Sequence, residues 1–524
     1  MIPQTSFIPN RVGQPVLAKA HQGFLSKFMR LRNIPWILLS DIGPLPSPVD
    51  QVASPSGAQS LASSSALSPT PAEAAEINQN QVKSFRDDPT PHLSYLRYLQ
   101  KNQPPESVIE RFGSGYKDYL QAPLQPLADN LESITYEVFE KDPIKYEWYE
   151  RAIMHALLDW SEEGKTSSSA SGAVVVAVAG AGRGPLVTRA LRASKLSQVP
   201  IELWAVEKNP NAYVLLERYN ETYWGRQVTV VKSDMRAWQG PVQVDGSQSY
   251  VDILVSELLG SFGDNELSPE CLDGVQHVMN PIHGISIPLS YTAHITPIAY
   301  PKVHSDLLVK MMVEKDCFEL PYVVQLHQFD FLSYTPAPQD EDAEAPPNGS
   351  ASLSAIPDIQ ECWEFSHPLP SAVLAQSELR RGSGHTGGSG GLTGGDGWNN
   401  HNARFTQLCF PCPTRGVCHG LAGFFETVLF SSGSEGPLIE LSTNPVTMDA
   451  KSKDMISWFP IFFPLKTPVS FPDNSELKIS MWRMTDDRKV WYEWLVESFV
   501  IIDGRKLRLG VSGLHSSKKN GCLM

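Results

Sequence analysis

Val174-Val175-Val176-Ala177-Val178-Ala179-Gly180-Ala181-Gly182-Arg183-Gly184 is the stretch that decides the fold. A short run of valine and alanine with no polar position reads as a strand covered on both faces, the condition of a parallel sheet flanked by helices. Three alternate glycines then let the chain turn tightly and approach a ligand at the amino end of the next helix, expected over 186–195. Downstream the alternation repeats. Strands are expected at 201–206, ending at Glu207; at 228–231, ending at Ser233-Asp234; and at 251–255, ending at Ser256-Glu257, with a crossover helix over 213–223. This pattern predicts a doubly wound α/β sheet whose ligands sit beyond the carboxyl ends of the strands. Each strand runs into an acid or into the glycine turn, which places those residues on one rim.

The chain of 524 residues is too long for one ordinary core, and its 42 Pro and 37 Gly gather in a few segments between stretches rich in Val, Leu, Tyr and Trp. Pro15 with apolar Val16, Leu17, Ala20, Phe24, Leu25, Phe28 and Met29 predicts a helix over 15–32, and 34–39 reads as a buried strand. Residues 1–41 alone are too few for an independent core. Residues 42–88, rich in Ser, Pro and Ala from 44 to 75, read as a low-complexity linker. The α/β unit is expected over 89–288, opening with helical segments over 93–127 and a helix over 147–160. After Pro288, alternating stretches at 291–298, 323–329, 420–429, 458–465, 477–482 and 490–496 predict an antiparallel β domain over 289–524. An acidic, Pro-rich tract at 335–356 and a Gly-Ser-Asn tract at 380–402 are expected to be disordered insertions.

A formal net charge of −14 excludes a general nucleic-acid binder, which needs clustered Lys and Arg against phosphate, and favours basic partners. Seven cysteines without framework spacing fit a reducing compartment. Cys409-x-x-Cys412 followed by Cys418-His419 has the outline of a zinc motif. The runs around it alternate like paired strands, so core and surface thiols are expected and no metal. The amino end has no charged n-region or long apolar h-region, Gly521-Cys522-Leu523-Met524 is too short for a prenylation signal, and the longest apolar runs fall far below the ~18 to 20 residues that span a bilayer. A soluble protein of the cytoplasm and nucleus, without membrane or direct nucleic-acid contact, is expected.

Glu207 stands where a ribose diol is held by two charge-assisted hydrogen bonds. Asp234 can accept from an adenine amino group while Met235 packs on its face, although Asp234 also reads as a helix N-cap. These positions fit NAD and S-adenosylmethionine equally. The fourth strand separates the two. In Ser256-Glu257-Leu258-Leu259-Gly260-Ser261-Phe262-Gly263-Asp264-Asn265-Glu266 a small-residue hairpin can bring two glutamates to face one another, gripping a planar guanidinium from two edges. A nicotinamide enzyme has no need of the pair. Methylation of a guanidinium has: with a pKa above ~12 it arrives protonated, and two carboxylates can draw its charge and aim one nitrogen.

That hairpin closely resembles the double-glutamate loop of the type II, symmetric-dimethylating protein arginine methyltransferases. So do the Gly180 turn, Ala205-Val206-Glu207-Lys208-Asn209-Pro210, residues 136–146, Ser457-Trp458-Phe459-Pro460 and Lys489-Val490-Trp491-Tyr492-Glu493-Trp494. The resemblance implies a Rossmann-like S-adenosylmethionine-dependent methyltransferase domain, an antiparallel β-barrel domain after it, and a short TIM-barrel remnant at residues 1–41. It implies that Tyr136, Lys145, Tyr146, Gly180, Gly182, Glu207, Asp234 and Met235 bind the cofactor, with Lys145 on its carboxylate. Glu257 and Glu266 match the catalytic pair, and Phe139 the aromatic that favours symmetric product. Leu124, Leu131, Ser457, Trp458 and Phe459 match the substrate channel, and Cys271 a thiol near the site without a catalytic role. Ile456 departs from the pattern, standing where the family has an aromatic. The family's TIM barrel docks a WD-repeat partner and helps assemble the oligomer. A remnant too short to close eight strands leaves that partner without most of its platform and is expected to expose apolar faces.

The expected function is therefore arginine methylation of Arg/Gly-rich proteins such as histones and Sm proteins, by a homo-oligomer, giving monomethyl and symmetric dimethylarginine. The rival readings are a catalytically impaired scaffold of the same fold and, more remotely, a nicotinamide oxidoreductase.

Overall fold

In the computed structural model, which describes residues 1–11, 13–29, 36–42, 88, 90–103, 105–243, 245–336, 355–373, 400–433, 436–486 and 488–524, Val174–Ala179 forms strand β1 with every side chain buried. Parallel strands β2 (Ile201–Glu207), β3 (Val228–Lys232), β4 (Ile253–Ser256) and β5 (Ile285–Ile287) complete a sheet in the order β3-β2-β1-β4-β5. Val176 lies opposite Leu203 on one side and Ile253 on the other, so apolar neighbours fix the register. The order reverses between β1 and β4, which makes their carboxyl ends the switch point where such sheets open a crevice. The expected strands are present, and β5, too short to show a period, adds an edge.

Helices α1 (Ser133–Phe139) and α2 (Pro143–Glu162) precede β1, α3 (Pro185–Ser197) and α4 (Pro210–Thr222) are the crossovers, and α5 (Ser268–Val275) follows β4. Proline opens α2, α3 and α4 at a position where its missing N–H costs nothing. Asp142 caps α2, accepting from Ile144 and Lys145 N–H, an arrangement typically worth about 1 kcal/mol. Tyr149, Ile153, Ala156, Leu157 and Trp160, at helical spacing, bury that face of α2 in the same core as Val176 and Val178.

Beyond the sheet, the expected β-barrel region consists of two antiparallel sheets, one of seven and one of six strands. The first is centred on β6 (Ser290–Ala299), β8 (Gly416–Ser431) and β9 (Ile461–Phe471). The second is built on β7 (Arg404–Cys412), β10 (Ser475–Thr485) and β11 (Lys489–Ile502). Phe425, Phe463, Met481 and Trp494 from both sheets share one core. Cys409 is exposed while Cys412 and Cys418 are buried, and among the described residues no group of three or more His, Cys, Asp or Glu is arranged to hold a metal. None of the described helices is long and apolar enough to cross a membrane.

Several expectations need correction. The helix expected from residue 15 starts only at Lys19–Met29; Pro15–Leu17 is instead a strand antiparallel to Phe7–Pro9, burying Val16 and Leu17, with Pro15 at the strand's first position where no N–H is required. Leu39–Ser40 pairs parallel with Ile2–Pro3, while 30–35 fall outside the described residues. The boundary at 89 is also displaced. Helix Pro91–Lys101 buries Tyr95 and Leu96 with Val16, Leu17 and Leu25, and the Tyr95 hydroxyl accepts from Leu17 N–H at 3.1 Å, so it belongs to a compact unit Met1–Ser107, apart from Val108–Met524. In the expected strand over 323–329 only Tyr322–Val323 is extended, because His327 and Gln328 N–H both donate to the Asp118 carboxylate at 3.1 Å rather than to a neighbouring strand. The margins of the two insertions are ordered: Tyr334–Pro336 pairs with Ala355–Pro357, and Asn400–Asn402 forms a 3-10 turn. Their interiors, 337–354 and 374–399, and the linker over 43–87 lie outside the described residues.

The double-glutamate segment docks on the β domain through buried contacts. Gly260 and Gly263 exchange backbone hydrogen bonds of 3.2 and 2.8 Å across Ser261-Phe262, and Phe262, fully buried, meets Trp363, Phe463 and Tyr492 edge-on at centroid distances of 5.7, 5.2 and 5.7 Å. Asp264 accepts from Trp363 Nε1 at 2.6 Å and from the Tyr492 hydroxyl. Arg483 of β10, wholly buried, donates both terminal nitrogens to Glu270 at 2.9 and 2.8 Å, and its Nε stands 3.2 Å from Asp264. Arg483→Ala would strand two buried carboxylates, a loss of about 3 to 5 kcal/mol for such clusters. Urea unfolding is expected to show it, and a loss below about 1 kcal/mol would mean that the cluster does not hold the hairpin.

Candidate active site

At the carboxyl ends of β1, β2 and β4 lies a cavity of about 460 Å³. Every residue that the resemblance assigns to the cofactor, the catalytic pair or the substrate channel lines it. On the sheet side are Gly180, Gly182, Glu207, Asp234, Met235 and Glu257; on α1 and α2, Tyr136, Phe139, Lys145 and Tyr146; on the far wall, Leu124, Leu131, Glu266, Ser457, Trp458 and Phe459. Cys271 also lines it, its thiol pushed up to about 12 by burial, which suits an inert position better than a nucleophile. Ile456 forms part of the same wall.

The glycine turn is shaped by two constraints. Gly182 has φ +55, and a Cβ there would stand 3.0 Å from the Tyr136 ring; at Gly184, with φ +91, it would reach within 2.5 Å of Trp224. Side chains at either position would close the cradle or push α3 off the sheet. Glu207 is fixed by its own backbone surroundings, accepting from Gly182 N–H at 2.7 Å and Asn209 N–H at 2.6 Å. Burial raises its carboxyl above the usual value, and those two N–H groups oppose the shift. Each oxygen keeps a lone pair for a diol. No helix follows Asp234. Its Oδ1 accepts from Arg236 N–H at 2.9 Å, closing a turn, and the Arg236 side chain clasps both oxygens at 3.2 and 3.1 Å.

The two glutamates occupy unequal settings. Lys145 Nζ lies 3.3 Å from Glu257 Oε2. The rings of Phe139, Tyr146 and Trp458 surround the ammonium at 5.4, 4.8 and 4.9 Å from their centroids, a cation–π cage. Burial is the largest influence and works against the Lys145 charge, but Glu257, Tyr146 and Asp142 together outweigh it and hold Lys145 above its usual value. Burial also raises Glu257, with Lys145 pulling it back. Glu266 rises well beyond the ordinary carboxylate range: burial is the first cause, the neighbouring Glu257 charge adds to it, and Lys145 only partly opposes. One carboxylate is thus balanced by a cation, and the other is kept short of one.

Sequence reasoning missed the residues that hold this geometry. Tyr149 donates to Ser256 O at 3.0 Å, fixing the strand tip before Glu257. Arg183 joins the glycine turn to α1 through Glu137 and Glu140, at 3.2 and 3.1 Å. Trp458 adopts φ +63, a conformation unfavourable for a bulky side chain, and donates Nε1 to Leu259 O at 2.7 Å. Asp142, the cap of α2, had a local sequence signal, Asp-Pro as a helix start.

Because Glu266 is held above its unfolded value, the folded state binds that proton more tightly, and the stability this gives is lost as pH rises through the interval between the two values. Glu266→Gln is therefore expected to raise unfolding stability at neutral pH by on the order of 1 kcal/mol, the gain vanishing below the ordinary carboxylate range. Thermal melts across pH check this; a variant less stable than the parent at neutral pH would contradict the buried-acid reading.

Residues 107–287 match the model of the PRMT5 arginine-N-methyltransferase, 290–524 the PRMT5 oligomerisation domain and 1–102 the PRMT5 TIM barrel domain. The last match includes helix Pro91–Lys101, as its packing does. The protein arginine N-methyltransferase skb1 of Schizosaccharomyces pombe is 38% identical over 99% of this chain and 67% of its own length. Protein arginine N-methyltransferase 5 of Xenopus laevis is 38% identical over 95% and 62%, and that of Oryza sativa subsp. indica 36% identical over 94% and 62%. The chain thus spans roughly two thirds of the length of these curated relatives. Among solved structures, a Trypanosoma brucei PRMT1 enzyme-prozyme heterotetrameric complex with AdoHcy is 12% identical, with a TM-score of 0.48 over 73% of this chain and 98% of that one. On its sequence and its domain matches, the chain belongs to the PRMT5 family of protein arginine N-methyltransferases.

Proposed function

We propose that the chain transfers methyl groups from S-adenosylmethionine to arginine in Arg/Gly-rich proteins, histone tails and Sm proteins among them, forming ω-N-monomethyl and symmetric dimethylarginine. The observation that carries this reading is the meeting of Glu257 and Glu266, from one hairpin, with the Gly180 turn and Glu207 in a single cavity. When bound, S-adenosylmethionine supplies an electrophilic methyl on a sulfonium. Glu207 offers two fixed oxygens to the ribose, Asp234 and Met235 a polar edge and an apolar face to the adenine, Tyr136 a ring over the turn, and Lys145, beside Tyr146, a cation to the carboxylate.

The residues present fit that group, since a Cβ at Gly182 would already crowd Tyr136. Glu257 and Glu266 grip the guanidinium from two edges, while Leu124, Leu131, Trp458 and Phe459 line the approach. Alignment is the larger contribution, up to ~7 to 11 kcal/mol for a well-held pair of reactants, against a few for proton transfer. Glu266, whose proton affinity is raised by burial, is placed to take the proton released after methylation. Phe139, at the Lys145 ammonium, limits where a second methyl can be placed. A homo-oligomer acting in the cytoplasm and nucleus accords with the oligomerisation-domain match and with cysteines that are all free. A net charge of −14 suits basic partners.

Incubation with labelled S-adenosylmethionine and a Gly-Arg peptide tests the reading. The chain is expected to transfer label, and Glu257→Gln to lose at least ~10²-fold while still binding S-adenosylhomocysteine. Transfer should rise with pH along an acid limb above the ordinary carboxylate range, since Glu266 must ionise to act. Cofactor binding without transfer by the unaltered chain would make it a scaffold instead, and asymmetric product by mass spectrometry would remove the role given to Phe139.

A further inference from the structure

Asp142 is almost wholly buried, at 1% exposure, and all four of its hydrogen bonds go to backbone N–H groups. Oδ1 accepts from Ile144 and Lys145 at 3.0 and 3.2 Å, which caps α2. Oδ2 faces the other way and accepts from Ile456 and Ser457 at 3.0 and 2.8 Å, more than 300 residues later in the chain. A capping aspartate needs only the first pair; a serine or asparagine serves as well. The second pair is a tether. It fastens the segment carrying Trp458 and Phe459 to the segment carrying Phe139, Lys145 and Tyr146, so one carboxylate spans the two walls of the cavity.

The tethered segment has little else of regular structure to hold it. Residues 452–460 include no helix or strand, Trp458 sits at φ +63, and its indole N–H reaches across to Leu259 O at 2.7 Å. Asp142 and Leu259 therefore brace the segment from both sides, one at the start of α2 and one two residues after Glu257. We propose that Asp142 is a positioning residue for arginine: by fixing Ile456 and Ser457 it sets the width of the channel between Trp458 and Phe139, and with it the tolerance for a second methyl transfer. This rests on the function proposed above. Width affects the second transfer more than the first, because a monomethylated guanidinium must turn its bulk away and still present its other terminal nitrogen in line.

Asp142→Ser separates the two duties, since the serine hydroxyl can cap α2 but is too short to reach Ile456. Amide hydrogen exchange is expected to quicken at 456–458 in the serine variant and to stay unchanged at 144–146. With S-adenosylhomocysteine present, its affinity should change less than ~3-fold, while that of a Gly-Arg-Gly peptide falls about tenfold. In turnover, KM for the peptide rises and the ratio of symmetric dimethyl to monomethyl product falls. Asp142→Ala, losing both duties, should add faster exchange at 144–146 and a lower melting temperature. Unchanged exchange at 456–458, or faster exchange there with peptide affinity and product ratio as in the parent, overturns the proposal. A parent chain that binds cofactor and peptide but transfers nothing defeats the function reading alone, because exchange and peptide affinity still decide the tether.

Discussion

The buried guanidinium of Arg483 is the interaction on which the site depends. Two glycines and two backbone hydrogen bonds make the turn of the double-glutamate hairpin, and a two-stranded turn of that size has no stability of its own. It keeps its shape because Arg483 draws Asp264 and Glu270 to one point, with Tyr492 and Trp363 completing the coordination of Asp264. Burying three charges is expensive, and the cluster survives by satisfying each with hydrogen bonds. The anchoring acids are the neighbours of the functional ones. Asp264 lies two residues before Glu266, and Glu270 four residues after it.

Within that frame the cavity sorts its carboxylates by company. Glu257 has the Lys145 ammonium at 3.3 Å; Glu266 has the same low-dielectric surroundings and, beside it, a like charge. On the proposed function, a guanidinium entering between them would supply the counter-charge that Glu266 lacks. The same logic gave pairs of carboxylates different roles in other enzymes: environments that separate two proton affinities separate two functions. Here the separation follows from where a single lysine sits on α2.

Much of this was legible in the chain. The valine run, the glycine turn and the acids at strand ends need only local rules, and each was found within a few residues of its expected place. The misreadings share a cause. Residues 323–329 alternate like a strand, but a distant carboxylate, that of Asp118, takes the N–H groups of His327 and Gln328. Pro15–Leu17 continues a helical pattern, but its two apolar residues are drawn into a strand pair. Helix Pro91–Lys101 has the composition of the methyltransferase region and packs instead on the amino-terminal segment. In each case a tertiary or strand partner outside the segment outbid the local preference.

Sequence alone determined the chemistry on offer: which residue types stand at the sheet rim, and that two glutamates flank a turn. These follow from periodicity and turn chemistry, which act over a few residues. Tertiary structure decided how that chemistry is held. Lys145 pairs with Glu257, Arg236 clasps Asp234, Arg483 anchors the hairpin, and Asp142 spans the chain to Ile456 and Ser457. Apart from the local Arg236–Asp234 contact, these pairings are not encoded in spacing, because they join groups that only the folded packing brings within hydrogen-bonding reach.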